Sequence, residues 1–312
     1  MKRNATFTLK IFSPIIFCLG ALMLGCNSPQ PRQRADAKYL DEIQHWQRKR
    51  VESLKSATGW LNLAGLFWLK AGENTAGADS TNTIIFPKIA APDFIGSFIW
   101  ENGVVTFRAK PNVAVTFNDS LISSIVMRND TEGNPTSLSL GALSWTIIKR
   151  DEKLGLRLRN HAHPLLKNFP GIETFPVDSS WRLAAKFEAN DPPKMIAVPT
   201  ILNTITAEPS PGALVFEING KTYRLDATGK MTDKELFVIF ADATNGKETY
   251  GAGRFLYVPT PKPNENVFID FNRAYNPPCA FTPYATCPLP PEQNKLPVRI
   301  TAGEKNYISV NH

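Results

Sequence analysis

Cysteine and histidine are scarce in this chain of 312 residues, at four of each, and their spacing excludes several chemistries. No C-x-x-C pair is present, so a thiolate zinc site lacks its usual frame. No G-x-S-x-G elbow occurs, and the one serine in a comparable setting, Ser210, sits between Pro209 and Pro211 on an expected turn without a histidine nearby. Phosphate-cradling loops are missing too. Gly251-Ala252-Gly253 lacks the third glycine and the following helix of a dinucleotide site. Long apolar runs are also absent. The one stretch of that kind, Ile11 to Leu24, is too short to span a bilayer as a stable helix.

That stretch follows a basic start, Lys2, Arg3 and Lys10, with no acid in the first 25 residues. It reads as an export signal. The run ends in Leu22-Met23-Leu24-Gly25-Cys26, which resembles a bacterial lipobox, with Met23 where leucine is commoner. Residues 1–25 are therefore expected to be a lipoprotein signal peptide removed before Cys26, and the resemblance implies that Cys26 carries lipid. Diacylglycerol plus an amino-terminal acyl chain such as palmitate is enough for durable anchoring. The expected location is the bacterial cell envelope, with the protein anchored by lipid to the outer membrane.

Charge is unremarkable once the leader is set aside. Residues 1–25 hold three basic side chains, so the chain from Cys26 onward keeps 32 basic against 28 acidic, a net charge of +4. The Arg48-Lys49-Arg50 cluster reads as a solvated helix face, and nucleic acid is not an expected partner. Cys18 lies in the leader and Cys26 is the lipid acceptor. Cys279 and Cys287 remain, seven residues between them in a proline-stiffened loop, and a disulfide is the natural reading in an oxidising compartment. No metal and no cofactor are expected. His161 and His163 would project to one side of an extended segment, but no neighbouring Cys, His or Asp completes a ligand set, so they read as surface loop.

Along the chain, residues 26–35 form a polar tether and residues 36–58 a helix. Asp36 is placed to cap it, Leu40, Ile43, Trp46 or Gln47, Val51 and Leu54 recur at helical spacing, and Thr58-Gly59 supplies the stop. Trp46 and His45 are read as docking residues on that stripe. From Trp60 on, short β-type runs alternate with turn pairs such as Asn102-Gly103, Asn118-Asp119 and Asn219-Gly220. The predicted fold is mostly β: one N-terminal helix, then two antiparallel β-sandwich or barrel-like units at 59–160 and 181–312, joined by a linker at 161–180.

The order of elements from Gly65 to Arg159 resembles a forkhead-associated domain at the level of scaffold. That family holds phosphothreonine with a Gly-Arg pair, a Ser-x-x-His and an Asn-Gly. Here Gly77 precedes Ala78, Ser97 has no histidine three residues on, and Asn118 precedes Asp119. Phosphopeptide recognition is not implied.

The segment from Gly246 to Pro291 is the candidate site, because polar and aromatic residues crowd it among glycines and prolines. TYGAGRFLY followed by DFNRAYNPPCAFTPYATCPLPP is similar to the signature of the bacterial family called domain of unknown function 1684, which implies no chemistry. Glu248, Tyr250, Arg254, Asp270, Asn272, Tyr275 and Asn276 are expected to converge on one pocket. Glu248, Tyr250 and Arg254 share a parity on one predicted strand, while Asp270 and Asn272 lie on the polar side of VFIDFN. Three readings stand. A polar or anionic small ligand, glycan or peptide is held by Arg254 with Tyr250, Tyr275 and Phe281 as stacking walls. Alternatively Glu248 and Asp270 act as acid and base of a hydrolase. In the third, an Arg–carboxylate network locks the unit as a structural assembly module, which an envelope protein partner would use.

Overall fold

The computed structural model describes Met1, residues 35–262 and residues 267–307. The expected leader, the lipobox-like stretch with Cys26 and nearly all of the expected tether lie outside the described residues. Helix α1, Ala37–Lys55, starts where Asp36 accepts a hydrogen bond from the Tyr39 amide at 2.8 Å. It is followed by a close chain reversal at Gly59, where a Cβ would meet the Leu54 carbonyl oxygen at 2.2 Å, so only glycine fits. The buried positions of α1 are Tyr39, Ile43 and Leu54. Leu40, on the expected stripe, is exposed instead, because the face that docks is turned by one residue toward Tyr39.

Eleven strands follow: β1 Leu63–Trp68, β2 Gly72–Gly77, β3 Ile84–Ile85, β4 Gly96–Glu101, β5 Val104–Ala109, β6 Thr116–Phe117, β7 Ser120–Leu121, β8 Ser124–Met127, β9 Leu138–Leu140, β10 Leu143–Arg150 and β11 Lys153–Asn160. They form a six-stranded sheet, β1-β11-β10-β9-β6-β7, and a five-stranded sheet, β3-β2-β4-β5-β8. Both sheets contribute side chains to one core. Trp145 of β10 sits at its centre, edge-on to Phe86 at 5.4 Å and Phe107 at 5.8 Å. Asn102 and Gly103 both take positive φ, 50° and 78°, the backbone that a two-residue hairpin requires.

A short helix, α2 Pro164–Asn168, leads to the second group: β12 Arg182–Pro199, β13 Ile205–Ile218, β14 Lys221–Ala227, β15 Glu235–Phe240, β16 Arg254–Pro259 and β17 Val267–Asp270. A four-stranded sheet, β14-β13-β12-β17, and the β15-β16 ribbon share a second core around Phe271, which meets Phe240 at 5.4 Å and Phe216 at 5.7 Å. The fold is thus mostly β and mostly antiparallel, and no sheet among the described residues closes into a barrel.

Two local expectations are corrected. The runs WRLAAKFE and MIAVPTIL read as separate strands in the sequence, but Arg182–Pro199 is one strand, β12, with a register shift between Ala189 and Lys194 that absorbs Pro192 and Pro193. The stretch Glu208–Gly212, expected as a turn, lies inside β13. Pro209 faces Met195 there, and Ser210 is fully buried with its hydroxyl donated to the Gly212 carbonyl. Sheet pairing with β12 overrides the turn preference of Pro-Ser-Pro-Gly, as tertiary context does for local β preference generally.

Candidate functional site

The signature segment does not assemble a single pocket. Arg254, the first residue of β16, has no solvent exposure. Its Nη2 donates to Asp242 Oδ2 at 2.7 Å and to the Ile300 carbonyl at 3.0 Å, and Nη1 donates to the Ala302 carbonyl. Asp242 in turn accepts from Thr244 and from the Ile300 amide. The guanidinium therefore pins the C-terminal segment to the β15-β16 ribbon.

Glu248 and Tyr250 are not on the strand at all. They lie in the reversal between β15 and β16, where Glu248 pairs with Arg299 at 2.5 Å on the surface and Tyr250 rests half-buried against Leu54 and Phe281. Parity on a strand predicted their convergence with Arg254. The chain turns before that strand begins, so parity does not apply. Gly253 ends the turn with φ 93°, and a Cβ there would strike the Pro290 side chain at 2.4 Å and the Phe240 carbonyl at 2.6 Å.

Asn272 and Asn276 are buried and act as local ties. Asn272 Nδ2 donates to the Asp178 carbonyl at 2.8 Å and the Tyr39 hydroxyl at 3.0 Å, while its Oδ1 accepts from the Asp178 amide. Asn276 donates its amide to Glu304 Oε2 at 2.7 Å and its Nδ2 to the Lys305 carbonyl at 2.8 Å. Glu304 is buried, and burial pushes its pKa above the ordinary carboxylate value against the opposing pull of Arg50. Arg50 of α1 reaches it at 3.1 Å, donates to the Asn276 carbonyl at 2.9 Å, and lies over the Tyr275 ring at 4.6 Å. These contacts dock α1 on the signature segment.

Asp270 and Tyr275 remain, and they share a cleft of about 430 Å³. Its walls come from α1 (Trp46), β12 (Arg182), β15 (Glu235), the end of β16 (Tyr257), β17 (Phe268) and the short turn after it (Arg273). Period-two alternation on β17 buries Val267 and Ile269 and turns Phe268 and Asp270 outward. Tyr257 and Tyr275 lie near-parallel at 6.2 Å, and Trp46 is 6.4 Å from Tyr275. Burial, then Tyr257, pushes the Tyr275 phenol well above its ordinary range, so it stays a neutral donor. Asp270 accepts from the Tyr39 hydroxyl at 2.8 Å and from the Asn272 amide at 3.1 Å, and Arg273 Nε is 3.4 Å from its other oxygen. Arg182 has no carboxylate partner among the described residues. Its guanidinium carbon is 4.9 Å from the Phe268 ring centre and 5.5 Å from that of Tyr39.

Arg182, Glu235, Tyr257 and Phe268 were not singled out from the sequence. The alternation of WRLAAKFE marks Arg182 as outward-facing, but only the β12–β17 pairing, with Arg182 opposite Asp270, brings it to the cleft. Cys279 and Cys287 are disulfide-linked, with Cα atoms 6.2 Å apart. His161 bonds Ser144 and His163 bonds the Leu165 amide. Among the described residues no three His, Cys, Asp or Glu side chains group as metal ligands, and no helix is long and apolar enough to cross a membrane.

Residues 167–305 match the family model described as Protein of unknown function (DUF1684). The matched segment holds every cleft wall except Trp46, which α1 adds from outside it. The solution NMR structure of an uncharacterized protein of Haloarcula marismortui is 29% identical over 47% of this chain and 80% of that one, with a TM-score of 0.39. Two forkhead-associated domain structures are 12% and 13% identical. One is of an FhaA FHA domain complexed with an intracellular domain, the other from an analysis of phosphothreonine-dependent FHA interactions. They cover 30% and 31% of this chain and 97% and 94% of their own, each at a TM-score of 0.22. No curated protein matches the chain.

Proposed function

We propose that the protein is a lipid-anchored envelope lipoprotein that binds a polar or anionic small ligand, of which a glycan suits the site best, in the cleft beside Asp270 and Tyr275. The observation that carries this reading is the pairing of stacking surface with an uncommitted cation. Tyr257 and Phe268 keep 48% and 43% of their surface exposed, and Arg182 beside them has no carboxylate of its own among the described residues. Sugar rings present one apolar face to an aromatic and their hydroxyl or acidic groups to a guanidinium, and the cleft volume lies in the usual range for small-ligand sites.

Hydrolysis by paired carboxylates is disfavoured. Glu248 is ion-paired on the surface outside the cleft, and the Asp270 carboxylate is already held by Tyr39, Asn272 and Arg273. The test is calorimetric titration of the mature protein with a panel of neutral and uronic-acid-containing oligosaccharides. Binding that Arg182→Ala and Tyr257→Ala each weaken by about tenfold or more, with unfolding temperatures unchanged, supports the reading. Absence of binding across the panel, or binding indifferent to both substitutions, leaves the structural assembly module as the better account.

A further inference from the structure

Away from the cleft, the outer face of β10 and β11 carries three arginines with unequal partners. Arg150 pairs with Asp130 at 2.8 Å and donates Nε to Thr286 Oγ1 at 3.1 Å. Arg159 donates to the Gly59 carbonyl and, at 2.6 Å, to Asn62 Oδ1. Arg157, on the same face of β11, is only 8% exposed, and its Nε and Nη2 are buried with no hydrogen-bond partner among the described residues. Its guanidinium carbon lies 5.5 Å from the Trp60 ring centre. Burial and then Arg150 and Arg159 lower its pKa to about 10, so it remains a cation at neutral pH.

An unpaired buried cation costs several kcal/mol. The carboxylate acting on it, Asp130, is already engaged by Arg150. Unsatisfied buried groups of this kind in native proteins call for an explanation, an ion or water among them. The two unpartnered nitrogens are also the informative pair: Nε–H and Nη2–H lie along one edge of the guanidinium as parallel donors, the fork that matches two oxygens of one oxyanion.

We propose that the Arg157 fork is a binding site for a small tetrahedral oxyanion, phosphate or sulfate, free or as the terminal group of an ester, in the field of Arg150 and Arg159. Trp60 is its gate. The fork is closed to bulk water, while Trp60 also walls a pocket of about 540 Å³ together with Phe281, Tyr284 and Tyr307. Trp60 borders both the pocket and the guanidinium, so in this proposal the anion enters by displacing the indole. A free anion uses the fork alone, whereas an ester keeps its organic body among the pocket's aromatic rings.

The experiment is thermal unfolding of the mature protein in sodium sulfate, sodium phosphate and phenyl phosphate, each against sodium chloride at matched ionic strength. Saturable stabilisation of several degrees by the oxyanions is expected, since a ligand that binds only the folded state raises its stability. Tighter half-saturation by phenyl phosphate assigns the site to esters, and equal half-saturation assigns it to the free anion. Arg157→Met should abolish the response and leave stability in chloride equal or higher. Arg157→Lys keeps the charge without the fork and should weaken half-saturation ~10-fold, which serves if the Met variant does not fold. A wild-type response no greater than chloride, or a response shared by Arg157→Lys and wild type, overturns the proposal.

Discussion

Arg254 and Asp242 form an ion pair at 2.7 Å in which neither side chain retains any solvent exposure. Removing one partner leaves an uncompensated buried charge, which costs about 3–5 kcal/mol. Arg254→Ala should therefore unfold the protein at markedly lower denaturant, and Asp242→Asn should do nearly the same. The pair Asp242→Leu with Arg254→Met should recover only the part of the loss due to the stranded charge, because the Ile300 and Ala302 carbonyls and the Ile300 amide lose their partners as well. Recovery by Asp270→Asn instead would contradict the pairing described here. Chemical denaturation of these four variants, the last being Asp270→Asn combined with Arg254→Ala, separates these outcomes.

The disulfide gives a second check. Cys287 is 4% exposed, and its carbonyl accepts from the Ile201 amide at 3.0 Å, so the loop is tied to the tip of the β12–β13 hairpin. Alkylation of the denatured mature protein without reductant should label neither Cys279 nor Cys287. Replacing both by serine should cost about 2–3 kcal/mol in the chain-entropy account of a short loop. Two labelled cysteines in the oxidised protein would remove the bridge.

Much of the architecture was legible in the sequence because its signals are local. Asn102-Gly103 and Asn219-Gly220 specify positive φ at consecutive residues and so name their hairpins. Asp36 names a helix start, and the alternation of Val267 to Asp270 names the faces of β17. The site was less legible because its geometry is non-local. Tyr39, Trp46 and Arg50 sit more than two hundred residues before Asp270 and Tyr275, which they contact, and Arg182 reaches the cleft only through its register with Asp270. The density of Arg254, Asn272 and Asn276 signalled importance correctly in one respect: all three are buried and hydrogen-bonded. Density alone does not separate a pocket lining from a network that holds chain segments together.

Anchoring is tested at Cys26. The Leu-Met-Leu-Gly-Cys ending and the short apolar run before it predict that the wild-type protein fractionates with membranes and that its first tryptic peptide carries diacylglycerol. Cys26→Ser should move the protein to the soluble envelope fraction without altering its unfolding temperature. An unmodified terminal peptide in mass spectrometry, with fractionation unchanged by the substitution, would remove the anchor.

The last prediction concerns pH and the contact that docks α1. Burial raises the pKa of Glu304, and the pull of Arg50 and the Asn276 amide in the other direction is smaller. A raised folded-state pKa means that the native protein binds the proton more tightly than the unfolded chain. The contribution of Glu304 to stability is then complete below the ordinary glutamate value and is lost as pH rises through the folded value. Glu304→Gln, which keeps an acceptor for the Asn276 amide and cannot ionise, should lack this loss. Unfolding temperatures of wild type and variant, followed from acid to neutral pH, should thus shift in favour of the variant as pH rises. Arg50→Met should make the wild-type decline steeper, because it removes the cation that favours the ionised form. The opposite trend, wild type gaining on Glu304→Gln with rising pH, would show that the Arg50 ion pair outweighs burial and that α1 is docked by charge.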